Sequence, residues 1–89
     1  MIDTRAAEER SADAGSDSEI MSRVKDGHIG DLAILFERHS GRLLSFFMRM
    51  TGSRPTSEDL VQDVFTRMLR YRQTYRGDGG EFGGWMFTL

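Results

Sequence analysis

The stretch SEDLVQDVFTRMLR, residues 57–70, decides the fold, because its polar and apolar residues separate at helical spacing. With successive residues placed about 100° apart, one half of this helix is apolar. That half carries Leu60, Val61, Val64, Phe65, Met68, Leu69 and Tyr71. The other half carries Asp59, Gln62, Asp63, Thr66, Arg67, Arg70 and Gln73. We predict that the helix begins after Pro55, with Thr56 and Asp59 as a capping pair.

A longer helix is predicted before this stretch, over residues 31–50, ending at Gly52. Its apolar residues lie three, four or seven apart and are assigned to the core: Leu32, Leu35, Phe36, Leu43, Phe46, Phe47 and Met50. His39 falls within this stripe, and we interpret it as a partly buried, hydrogen-bonded histidine, since no second metal ligand stands at a suitable spacing. Arg38, Arg42 and Arg49 form a basic row that suits phosphates, an acidic protein surface or plain solvent.

Shorter helices are expected on either side of this pair. The first has Asp17 or Ser18 as its candidate N-cap and ends at Gly27, with Ile20, Met21 and Val24 as its apolar residues. The last begins after a glycine-rich linker over 75–80 and occupies 81–89. It stops on an apolar residue without a cap, so we expect the chain to be the N-terminal part of a longer protein. The predicted fold class is all-α, a small bundle of three to four helices.

The N-terminal segment differs in composition from the rest. Residues 1–19 hold six acids and two bases, whereas residues 20–89 hold eight acids and ten bases. Residues 1–16 contain one large aliphatic side chain, Ile2, which is too little apolar surface to offset the entropy of ordering. We therefore predict a disordered acidic tail over 1–16 and one helical domain over 17–89.

Composition and motifs exclude most enzymatic chemistry. The 89 residues include no cysteine, which removes disulfides, thiolate metal sites and cysteine nucleophiles. No HExxH, GxSxG or Walker motif is present. We predict no catalytic residue, metal or cofactor; a metal-dependent nuclease built on Asp59 and Asp63 is a remote alternative. Without an apolar run of membrane length or a secretion signal, we expect a cytoplasmic protein with no membrane partner.

Three segments together resemble a known family: residues 57–70, Tyr75-Arg76-Gly77, and Phe82-Gly83-Gly84-Trp85-Met86-Phe87-Thr88-Leu89. Over residues 20–89 the sequence closely resembles region two of bacterial sigma factors, specifically the extracytoplasmic-function (ECF) group. The resemblance implies a helical domain that joins the RNA polymerase core and, in the full-length protein, helps open promoter DNA at the minus-ten element.

The resemblance also implies which residues carry these contacts. The core-binding set, which docks on the coiled-coil of the polymerase's largest subunit, is Asp59, Leu60, Gln62, Asp63, Phe65, Arg67, Leu69 and Arg70. The residues that approach the displaced DNA strand are Arg76, Phe82 and Trp85, although packing in the bundle is the favoured interpretation for Phe82 and Trp85. An anti-sigma factor is a further implied partner. The family's continuing A-R-N motif and its helix-turn-helix domain are not among these 89 residues, so we do not expect this piece to initiate transcription alone.

Two alternatives stay open at the level of sequence. The chain could be a helical interaction module, or a sigma-like regulator that engages polymerase without opening DNA. The apolar segment 82–89 should either pack back on the second and third helices or pair with a second copy of the chain.

Overall fold

A computed structural model describes residues 13–76 and 82–89, and all regular structure within these ranges is helical. The α-helices are α1 (Asp17–Lys25), α2 (Leu32–Thr51), α3 (Arg54–Arg70) and α4 (Phe82–Phe87). Two 3₁₀ turns, Ile29–Asp31 and Arg72–Thr74, precede α2 and follow α3. The predicted all-α class is confirmed. Most of the predicted disordered tail, residues 1–12, lies outside the described residues.

The start of α1 lies one residue earlier than the sequence predicted. Ser16 is the N-cap, and its hydroxyl accepts a hydrogen bond of 3.1 Å from the backbone N–H of Glu19. The predicted cap at Asp17 or Ser18 is therefore wrong. The carboxylate of Asp17 is instead engaged with α2, so it does not serve the helix terminus.

The predicted start of α3 is also wrong, by three residues. Ser53 has extended backbone angles and accepts a hydrogen bond of 3.4 Å from the backbone N–H of Thr56. Pro55 lies inside the first turn, where its missing N–H removes no helical hydrogen bond. The connection from α2 is short because Gly52 adopts a left-handed conformation, φ 66°, that ends α2 as predicted.

One apolar core joins the four helices and the segment after α3. Its buried side chains are Ile20, Met21, Val24, Leu35, Leu43, Val61, Phe65, Met68, Tyr75, Phe82 and Met86. The assignment of the whole α2 stripe to the core is wrong, because Phe36, Phe46 and Met50 are 42%, 41% and 68% exposed. A helix of 20 residues is about 30 Å long, and the nine-residue α1 and six-residue α4 are too short to cover it throughout.

Polar contacts from α1 fix the neighbouring elements. The Asp17 carboxylate accepts hydrogen bonds of 3.0 Å from Arg38 Nη1 and from His39 Nε2. The imidazole also lies against the ring of Phe82, with centroids 5.3 Å apart. His39 is thus partly buried and hydrogen-bonded, as the sequence predicted.

Tyr75 connects the segment after α3 to α1, a role that its place in a turn-rich linker did not reveal. Its ring is fully buried, and its hydroxyl lies 2.7 Å from Ser18 Oγ. Its carbonyl accepts a hydrogen bond of 2.8 Å from Lys25 Nζ. None of the helices in the described part of the chain combines the length and hydropathy needed to cross a bilayer.

Candidate functional site

The inner side of α3 holds the helix in one orientation. Val61, Phe65 and Met68 are buried, and the ring of Phe65 meets that of Phe36 edge-on with centroids 5.0 Å apart. Tyr71, which the sequence placed on the apolar half, is 44% exposed because it lies beyond the last helical residue with φ −103° and ψ 19°. The buried side is therefore narrower than predicted and faces α2 and the core.

The outer side of α3 is a continuous solvent-exposed surface. We call it the α3 polar face; it consists of Asp59, Gln62, Asp63, Thr66, Arg67 and Arg70, all of them exposed. Asp63 and Arg67 form an ion pair of 3.2 Å between Oδ2 and Nη2, with both side chains about half exposed. Such a pair stabilises a helix by only a few tenths of a kcal/mol.

Three other polar side chains of this face are not used by the fold, whereas the Thr66 hydroxyl donates a 3.0 Å hydrogen bond to the backbone carbonyl of Gln62. Within the described residues, the side chains of Asp59, Gln62 and Arg70 make no hydrogen bond or ion pair. Carboxylates occupy the N-terminal half of the face and guanidinium groups the C-terminal half, where they complement the helix dipole. The face can thus bind a surface that carries the opposite order of charges.

Apolar side chains border the α3 polar face. Leu60 and Leu69 are half-buried, so part of each remains in contact with solvent. Phe65, predicted among the core-binding residues, is only 6% exposed and lies beneath the face. The structure therefore brings seven of the eight predicted residues to the surface or its edge, and it places the eighth inside.

A shallow hollow, which the sequence pattern does not predict, extends this surface onto α2. The hollow, about 300 Å³, lies between α2 and α3 and is lined by Phe36, Gly41, Leu44 and Gln62 among others. Gly41 leaves one wall without a side chain, and a Cβ built there would meet nothing within 4 Å. A glycine in the middle of a helix, with no positive φ to require it, is the sequence feature that points to this opening.

The three residues predicted to approach DNA lie near the junction of α3 and α4: they are Arg76, Phe82 and Trp85. Phe82 is 5% exposed and belongs to the core. Trp85 is half-buried, lies 5.2 Å from the ring of Tyr75, and donates a 3.0 Å hydrogen bond from Nε1 to Thr74 Oγ1. These contacts favour the packing interpretation for both aromatics. Arg76 is exposed directly after the buried Tyr75.

The C-terminal segment packs back on the rest of the domain, the first of the two predicted alternatives. It lies against α2 and against Val64 of α3, as predicted, and it also contacts α1. Phe82 and Met86 join the core, whereas Phe87 is 68% exposed. Among residues 13–76 and 82–89, no group of three or more histidine or acidic side chains is placed to hold a metal ion.

Comparison with known proteins identifies the family to which this helical domain belongs. The family model for sigma-70 region 2 matches residues 35–89, which include most of α2 and all of α3 and α4. The chain therefore belongs to the sigma-70 region 2 family, and the resemblance noted in the sequence is confirmed.

Two relatives support the same assignment. The chain is 30% identical over 80 residues to the ECF RNA polymerase sigma factor BldN of Streptomyces coelicolor, covering 85% of this chain and 30% of that protein. It is 35% identical over 69 residues to the RNA polymerase sigma factor CarQ of Myxococcus xanthus, covering 78% of this chain and 39% of that protein. The chain thus spans about a third of the length of these relatives. No solved structure matched significantly.

Proposed function

We propose that this chain is the domain by which a sigma factor binds the RNA polymerase core for transcription initiation, and that the α3 polar face makes the contact. One observation carries the proposal: the face presents Asp59, Gln62 and Arg70, whose polar groups are unengaged within the described residues, on a helix fixed by its buried side. The matched family and the two sigma factors BldN and CarQ support the assignment to transcription initiation.

The chemistry of the face suits a charged helical partner. Ionised carboxylates and guanidinium groups form shorter and stronger hydrogen bonds than neutral groups, and they fix the register of two surfaces. Leu60 and Leu69 flank the polar groups and can exclude water from them once a partner is bound. The coiled-coil of the polymerase's largest subunit, which the family resemblance implies, is the proposed partner.

Promoter DNA is the second proposed partner, in a longer protein that contains this domain. Arg76 is the candidate for a phosphate contact, because it is exposed at the junction between α3 and α4. Trp85 retains some exposed surface, but its indole N–H is already engaged with Thr74. Phe82 supports the DNA-facing segment from within the core.

The proposal is tested by measuring binding of this chain to the isolated coiled-coil at low and high salt. The test variant is Asp59→Ala/Gln62→Ala/Asp63→Ala, which removes two carboxylates and one amide from the α3 polar face. The control variant is Asp26→Ala/Glu37→Ala/Ser45→Ala, which removes two carboxylates and one hydroxyl from exposed positions at the C-terminal end of α1 and on α2. Both variants have the same net charge, so a difference between them reports position.

We expect salt-sensitive binding by the wild-type chain and the control, and loss of binding by the test variant. Circular dichroism should show unchanged helix content in all three proteins, because the substituted side chains are exposed. If a folded wild-type chain fails to bind, or if both variants lose affinity equally, the α3 polar face is not the polymerase-binding site.

A further inference from the structure

A second surface lies between α2 and α4 and shares no residue with the α3 polar face. It is a hollow of about 300 Å³, which we call the α2–α4 groove. Leu43 and Met86 form its floor, and Phe46 and Phe87 form its walls. Phe46 is 41% exposed and Phe87 is 68% exposed, so the domain leaves much of this apolar surface in contact with solvent.

Two arginines lie along the groove. Arg42 and Arg49 are seven residues apart on α2 and therefore lie on one side of the helix. Both are exposed, and neither makes a hydrogen bond or ion pair with the residues that the structure describes. The lining includes no carboxylate. The groove thus combines an apolar floor with positively charged side chains and no negatively charged ones.

We propose that the α2–α4 groove binds an amphipathic helix of another protein whose apolar ridge is flanked by acidic residues. An apolar groove of this kind receives the side chains that recur at three and four residues along a helix. Arg42 and Arg49 are about 10 Å apart along α2, a distance that two carboxylates seven residues apart on a parallel or antiparallel helix can match. Guanidinium groups bind carboxylates through paired hydrogen bonds, which gives such a helix its orientation.

Other occupants fit the groove less well. In a two-fold pair of this chain the same patch meets itself, so Arg42 and Arg49 of one copy would approach those of the other. Nucleic acid is held mainly by phosphate contacts, and the floor and walls here are aliphatic, aromatic and thioether surfaces.

The test is selection from a phage-displayed library of helical peptides randomised on one side. Wild-type chain should enrich peptides with large apolar residues at helical spacing and with Asp or Glu beside them. Affinity of an enriched synthetic peptide is then measured for Arg42→Gln, Arg49→Gln and the control Arg54→Gln, whose arginine is exposed on α3 away from the groove. Gly83→Leu adds a steric test of the groove, which Gly83 lines. Because a Cβ at this position meets nothing within 4 Å in the domain, the leucine should block the groove without disturbing the fold.

We expect Arg42→Gln and Arg49→Gln each to weaken peptide binding about tenfold, as loss of a charge-assisted hydrogen bond implies. Gly83→Leu should abolish binding while helix content is kept, and Arg54→Gln should bind like wild type. The proposal is overturned if no acidic apolar peptide is enriched, or if the two groove arginines have no more effect than Arg54. Binding of a labelled single-stranded oligonucleotide that the Arg42 and Arg49 variants abolish, or dimers in sedimentation that Phe87→Ser abolishes, would also overturn it by showing a different occupant.

Discussion

The side chains of α3 that the family resemblance implies for polymerase binding have two different roles: some are exposed and can contact a partner, and one packs in the core. Asp59, Gln62 and Asp63 are exposed and contribute little to folding, so the proposed contact with polymerase rests on them directly. Phe65 has its ring inside the core against Phe36. It would affect partner binding only by holding α3 in place.

Substitution of Phe65 tests this separation. Phe65→Ala is expected to lower the free energy of unfolding by about 3 to 5 kcal/mol, because it deletes a ring that is 94% buried and leaves a cavity. The control is Phe36→Ala, whose ring is 42% exposed and should cost clearly less. Urea denaturation followed by circular dichroism measures both. Equal losses for the two variants would mean that Phe65 is as accessible as Phe36.

At the scale of the element, the start of α3 depends on one hydroxyl. The sequence predicts Thr56 at the cap, because Asp59 follows it at capping-box spacing. The structure gives the role to Ser53, because the left-handed Gly52 brings the chain into α3 with Ser53 extended and Pro55 already in the first turn. This choice depends on the direction in which the chain leaves α2.

Two substitutions distinguish these caps. Ser53→Ala is expected to lower the stability of the domain by about 1 kcal/mol, since it removes the acceptor for the N–H of Thr56. Thr56→Ala should have a smaller effect, because its hydroxyl is exposed and only accepts a hydrogen bond of 3.1 Å from Ser53 Oγ. Thermal melting of both variants checks the order. A larger loss for Thr56→Ala would restore the capping pair predicted from the sequence.

The same comparison shows which features of the elements a sequence can predict. The periodicity of α3 correctly separated Gln62 and Arg70 from Val61 and Met68, because the two sides of one helix depend only on local geometry. Periodicity did not predict how much of α2 is buried, since the exposure of Phe46 and Met50 depends on the lengths and positions of other helices. The hollow beside Gln62 likewise requires two helices to be placed together.

For the whole molecule, a few long-range contacts hold the ends of the domain together. Tyr75 joins the segment after α3 to Ser18 and Lys25 of α1, over sequence separations of 57 and 50 residues. Trp85 joins α4 to the 3₁₀ turn through Thr74. The sequence predicts that Trp85 packs in the bundle but does not identify Thr74 as its partner, and Tyr75 in a turn-rich linker is equally compatible with exposure.

These contacts predict that α4 is held only by the rest of the domain. A helix of six residues with Gly83 and Gly84 has no independent stability in water. Trp85 is the sole tryptophan, so its fluorescence reports α4 while circular dichroism reports mainly α2 and α3. In the wild-type chain both probes should show one transition in urea, because α4 can stay folded only while its packing partners do.

Phe82→Ala tests how α4 is held. It removes the ring that meets His39, Tyr75 and Trp85, so the fluorescence transition should move to lower urea than the circular dichroism transition. The control Phe87→Ala, which changes a 68% exposed side chain, should leave the two transitions coincident. Separate transitions in the wild-type chain would instead show that α4 detaches from a bundle that is stable without it.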